Sequence, residues 1–178
     1  MTAIQQVKSQ VKRGFRWGRL LQELTRNEIQ TRYLGSFMGV AWAFVLPILN
    51  VLILWFVFEV GFRAAAIGDA PFFPWLVCGM IPWFFVADGI AGATAAVTGN
   101  AYLVKKVLFR VEVLPIVKIL AALCIHLFFV VSLFFIVMMY GLSFTAYSLQ
   151  IPYYLLASML LVCGIGWLTS ALVVFLPD

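Results

Sequence analysis

Residues 119–177 read ILAALCIHLFFVVSLFFIVMMYGLSFTAYSLQIPYYLLASMLLVCGIGWLTSALVVFLP, without a single Asp, Glu, Lys or Arg. A bilayer's hydrocarbon core takes about 20 apolar residues of helix, so this run is long enough for two crossings. Between them lies GLSFTAYSLQ (residues 141–150), rich in turn formers and hydroxyls. The spacing predicts one span over 114–140 and another over 151–175, the second opened by Pro152, where proline at a helix start is unstrained. Working toward the N-terminus, residues 98–112 form a polar, basic loop with a short helix, carrying Lys105, Lys106 and Arg110. Before it, residues 72–97 make a further span interrupted by Asp88 alone, and a hydrophilic break over 63–71 precedes that. Residues 33–58 carry no charge and predict the first span; Glu59 follows, four positions before Arg63, and is expected to pair with it across the last helical turn.

Residues 1–32 differ in kind. They hold seven of the twelve Lys and Arg, with Val7, Val11 and Phe15, then Leu20, Leu21 and Leu24, at helical spacing. That pattern predicts an amphipathic helix on the membrane surface. The stretch before the first apolar run is largely polar and the run is span-length, so it is expected to stay in the protein rather than be cleaved as a leader.

Composition agrees with a single all-α, polytopic membrane domain over 1–178: 65% of residues are hydrophobic, 11% are charged and the mean hydropathy is +1.07, values that exclude an ordinary soluble domain. The net charge of +5 is gathered mainly in two basic blocks beside apolar segments, where it sets topology and meets lipid headgroups rather than nucleic acid. With the N-terminus inside, ten basic residues lie on the cytoplasmic side against Arg63 outside, and Lys118, just within the third span, snorkels to the same side. Cys78, Cys124 and Cys163 sit singly in apolar stretches and read as packing residues.

Within the spans, Asp88 either lines a pore or helix interface or sits near the membrane surface, since a charge at depth costs a few kcal/mol. His126 has no acid within one turn and is expected to hydrogen-bond across helices rather than relay protons. Gly35, Gly39 and Ala43 recur every four residues and mark a face where a helix can approach closely. Pro47 and Pro82 remove backbone donors and predict kinks against protein or water. Trp42, Trp55, Trp75, Trp83, Tyr140, Tyr153, Tyr154 and Trp167 read mostly as interfacial anchors. No phosphate-loop, H-E-x-x-H or G-x-S-x-G motif occurs and there is one histidine, so no catalytic, cofactor-binding or metal residues are assigned, and any ATP hydrolysis is expected on a separate polypeptide.

Three ordered segments carry a resemblance: ELTRNEIQTRYLGSFMGVAWAFVLPILNVLILWFVFEVGF (residues 23–62), FPWLVCGMIPWFFVADGI (73–90) and GNAYLVKKVLFRVEVLP (99–115). Together the chain resembles the permease subunits of ABC transporters that export O-antigen, capsule or teichoic-acid polysaccharides, over residues 20–178. The resemblance implies a homodimeric permease of the inner membrane that moves a lipid-linked glycan and is driven by an ATPase subunit. It implies that the N-terminal helix and the loop residues Asn100, Tyr102, Leu103, Lys105 and Lys106 touch that ATPase. A solvated basic loop would explain the lysines alone, though not the interleaved Tyr102 and Leu103. It also implies that Trp42, Trp83 and Phe84, with Asp88, face the glycan path. Arg110 stands where the family commonly has proline, and Pro177 where it commonly has arginine. Family members continue through two further spans, so the resemblance implies a chain truncated after four. An ABC permease for a drug or small lipid, and a self-sufficient channel or scaffold, are the alternative readings.

Overall fold

The computed structural model describes residues 3–32, 38–64, 70–101 and 111–176, with side chains from residue 18 onward. Helix α1 spans Ala3–Arg32. A 3-10 turn at Gly39–Ala41 leads into α2 (Trp42–Trp55), which runs on through a π-helical turn at Phe56–Gly61. The remaining helices are α3 (Phe72–Thr94), α4 (Val113–Met139) and, after a 3-10 turn at Ala146–Gln150, α5 (Ile151–Phe175).

Among the described residues, four stretches are long and apolar enough to cross a bilayer: Gly39–Gly61, Phe72–Thr94, Val113–Met139 and Ala146–Phe175. The first ends past the Phe58 expected from charge alone, because the π turn carries the helix through Glu59; its expected start at Tyr33 lies outside the described residues. That turn also separates Glu59 from its expected partner. Glu59 accepts a hydrogen bond from Trp55 Nε1, while Arg63, past the helix end, takes a positive φ of 53°. The described ion pairs therefore do not include Glu59–Arg63.

Helix α4 ends where its sequence dictates. Gly141 adopts φ 66°, and the Gly141 and Leu142 amides donate to the Met138 and Val137 carbonyls at 3.0 and 3.1 Å. This paired closure satisfies two terminal carbonyls and needs a residue without Cβ at the left-handed position.

Helix α3 is the hub, packed against α4 on one side and α5 on another. Phe85, Ala93, Ile119, Ala122 and Val162 form the buried core. The α3–α5 seam is close because glycine stands on each side: a Cβ at Gly89 would lie 2.7 Å from Val162 Cγ1, and one at Gly166 would lie 2.7 Å from Ala93 Cβ. Beside them the hydroxyls of Thr94 and Thr169 are 2.7 Å apart, a hydrogen bond across the two helices. Lipid offers helices no hydrophobic reason to associate, so such van der Waals contact and interhelical hydrogen bonding hold the seam.

The outward faces are apolar. Trp83, Phe135, Tyr153, Leu160 and Phe175 are all exposed. At the end of the bundle opposite the α1 C-terminus, rings gather into a collar: Trp55 meets Phe73 edge-on at 6.0 Å, Phe73 stacks on Tyr140 at 6.2 Å, and Phe58 and Trp75 flank Phe72. Aromatic rings of this kind favour the headgroup level of a bilayer.

Candidate functional site

At the α1 end, two charges on apolar helices each meet a partner from α1. Glu28 and Arg32 stand four residues apart and so share a face of that helix. Arg32 donates to Asp88 Oδ2 at 2.8 Å with one terminal nitrogen and to Oδ1 with the other, a two-pronged bridge to α3. Lys118 Nζ donates to Glu28 Oε1 at 2.5 Å, a bridge to α4. The Arg32–Asp88 side chains are 39% and 31% exposed and the Lys118–Glu28 side chains 25% and 16%, so the second pair is the more sheltered. Lys118 is thus held against α1 rather than left to reach for lipid headgroups. The C-terminal half of α1, with Thr25 buried, is docked into the bundle instead of merely resting on its surface.

Two cavities meet at this point. An outer one of about 470 Å³ has a mixed lining, with Glu28, Thr31, Asn100 and Lys118 beside the small residues Ala91, Gly92 and Gly99. An inner one of about 280 Å³ runs between α2, α3 and α4, walled by Trp42, Leu46, Phe84, His126 and Phe129. The edge-on pair Phe44–Phe128, with ring centroids 4.5 Å apart, helps hold α2 against α4 beside it. His126 is buried with its ring 4.9 Å from Phe85, and its Nδ1 has no hydrogen-bond partner among the described residues.

The residues singled out from sequence are distributed as follows. Trp42, Phe84 and Asp88 come together on the inner cavity, with Ala43 in the same wall. Trp83, one position from Phe84 on the helix, turns away and is 63% exposed. Gly39 has a φ of 52° and nothing within 4 Å of where a Cβ would sit; among the described residues, close helix approach is seen at Gly89 and Gly166. Asn100 donates to the Ala96 carbonyl at 2.8 Å and borders the outer cavity. Gly35, Tyr102, Leu103, Lys105 and Lys106 lie outside the described residues, as do Arg110 and Pro177. The partners Arg32, Glu28 and Lys118 were not singled out from sequence as a site. The signal for them is charge balance: Asp88 and Lys118, each on an apolar helix, require opposite charges, and Glu28 and Arg32 offer both on one face of α1.

Among the described residues no group of three or more His, Cys, Asp or Glu side chains is placed to hold a metal ion. The arrangement joins apolar helices, charge pairs at one end and aromatic cavity walls.

Residues 19–178 match the family described as ABC-2 type transporter, and the chain belongs to it. With four apolar helices of crossing length, it is a multi-pass membrane protein. Over 114 residues it is 32% identical to the O-antigen export system permease protein RfbA of Myxococcus xanthus, covering 64% of this chain and 43% of that relative. Over 97 residues it is 28% identical to the protein of the same name from Klebsiella pneumoniae, covering 54% of this chain and 36% of that one. The chain therefore spans less than half the length of these curated relatives.

Proposed function

We propose that this chain belongs to the membrane permease subunit of an ABC exporter that moves a lipid-linked polysaccharide across the cytoplasmic membrane. The family match over residues 19–178 carries this reading, and the O-antigen export permeases among the relatives point to the cargo. ATP is hydrolysed on a separate subunit bearing the phosphate-loop motif, two permease copies enclose the path, and this chain is itself not an enzyme. The N-terminus is cytoplasmic, as the ten basic residues of the N-terminal block and central loop against Arg63 support. Asn100, Tyr102, Leu103, Lys105 and Lys106 make the ATPase contact, and the α1 bridges to Asp88 and Lys118 pass its movement to α3 and α4. Trp42 and Phe84 offer sugar rings a flat apolar face without gripping them.

Affinity purification of the full-length protein from its native membrane, followed by mass identification, tests the assembly. A stoichiometric phosphate-loop subunit is expected, and its loss from the pull-down when Lys105 and Lys106 are changed to Glu. Its reproducible absence with an intact permease would overturn the ABC assignment. A labelled-glycan export assay tests the cargo: deletion of the permease should strand polymer inside, and normal export without it would refute that cargo.

A further inference from the structure

Arg32 and Asp88 are the two residues common to the walls of the outer and inner cavities. On one side of them the walls are Glu28, Thr31, Asn100 and Lys118; on the other they are Trp42, Phe84 and Phe129. We propose that the Arg32–Asp88 ion pair is a hydration gate. Closed, as in this structure, it keeps the water of the outer cavity from the inner one; when α1 shifts and the pair parts, the two become one wet path reaching His126. The proposal rests on the cytoplasmic placement of α1 in the reading above.

The geometry carries it in three ways. A two-pronged guanidinium–carboxylate bridge is specific in angle as well as distance, so a small displacement of α1 breaks both prongs together. Both side chains keep partial exposure, so water already reaches the pair from outside and solvates the charges as they separate. The inner cavity, at about 280 Å³, exceeds the roughly 30 Å³ share of one water several times over. At its deep end stands His126, 8% exposed and with Nδ1 unpartnered among the described residues. A buried polar atom without a partner is costly, and repacking around an opened, hydrated cavity relieves that cost. Ile81 and His126 also border an apolar groove of about 520 Å³ between α3, α4 and α5, so the wet path ends there against a hydrocarbon-like wall.

The test uses the full-length protein in inside-out native membrane vesicles, with Cys78, Cys124 and Cys163 replaced by alanine. A reporter thiol is placed on the inner wall by Ala122→Cys or on the outer wall by Ala95→Cys. A membrane-impermeant methanethiosulfonate, which needs a hydrated thiolate, is applied from the cytoplasmic side. Asp88→Asn should speed labelling at position 122 by about tenfold, the response to a loss of roughly 1.4 kcal/mol from the closed state, and leave position 95 unchanged. The charge exchange Arg32→Asp with Asp88→Arg should restore slow labelling, which a merely loosened bundle would not do. If Asp88→Asn fails to accumulate, Arg32→Gln breaks the same pair from the more exposed helix and is read identically. Equal rates at position 122 in parent and variant, or an exchange that labels as fast as Asp88→Asn, would overturn the gate. Labelling at position 95 from the outer face alone would overturn the topology and the gate together. Labelling at 95 from the cytoplasmic face, with position 122 indifferent to the pair, would remove the gate and leave the permease reading standing.

Discussion

The α3–α5 seam and the attachment of α1 hold helices together by opposite means. At the seam, Gly89 and Gly166 let Val162 and Ala93 come into contact that a Cβ would forbid, and the gain is dispersion, spread over many atoms and lost all at once if the helices part. Among the described residues, helix α1 is held instead by the ion pairs Arg32–Asp88 and Glu28–Lys118, each of which can be exchanged for water. A close-packed seam resists motion; a charged one permits it. The same chain thus carries a stiff side, α3 with α5, and a releasable side, where α1 meets α3 and α4.

That contrast can be broken at its stiff side first. Gly166→Val inserts a branched side chain where a single Cβ already meets Ala93 at 2.7 Å and Ile119 Cδ1 at 3.6 Å. A destabilisation of about 3 kcal/mol is expected, visible as a lowered melting temperature in detergent, and an unchanged melting curve would show that the seam opens freely. On the releasable side, Glu28→Gln strands the Lys118 ammonium. With these side chains 16% and 25% exposed, the cost falls to about 1 to 2 kcal/mol, below that of a fully buried pair. Exchanging the residues, Glu28→Lys with Lys118→Glu, should recover most of it in a double-mutant cycle. The smallest effect belongs to Thr94→Val, which keeps the shape and removes the hydroxyl bonded to Thr169 at 2.7 Å. About 0.6 kcal/mol is expected from interhelical hydrogen bonds in membranes, and a loss as large as that from Gly166→Val would mean that hydrogen bonding rather than contact closes the seam.

Much of the fold is legible in the sequence for one reason: charge-free runs of span length have few other physical solutions. The start of α5 at Ile151, beside Pro152, and the turn-rich 141–150 stretch follow from local chemistry of the same kind. What the sequence conceals is facing. Helix α5 is apolar all round, so nothing in its periodicity marks Val162, Gly166 and Ser170 as the buried positions. The close approaches among the described residues at Gly89 and Gly166 were not marked, because these are single glycines whose meaning depends on a partner far along the chain. The π turn at Phe56–Gly61 was equally hidden, and with it the turn of Glu59 toward Trp55 instead of Arg63. Of the cavity, Asp88 was visible as a charge in an apolar run, while Trp42 and Phe84 were marked only through the family resemblance. Arg32 was not, because one arginine among seven basic residues of an N-terminal block carries no individual signature.

The order of the paired charges along the chain bears on how the protein is built. Asp88 and Lys118 are the charges on membrane-crossing helices α3 and α4, and each finds its partner on α1, which leaves the ribosome before either. Arg32 is therefore already waiting at the surface when α3 is threaded in, and Glu28 when α4 follows. A lone charge dragged into hydrocarbon costs a few kcal/mol, and early synthesis of α1 lets both helices settle with that charge matched.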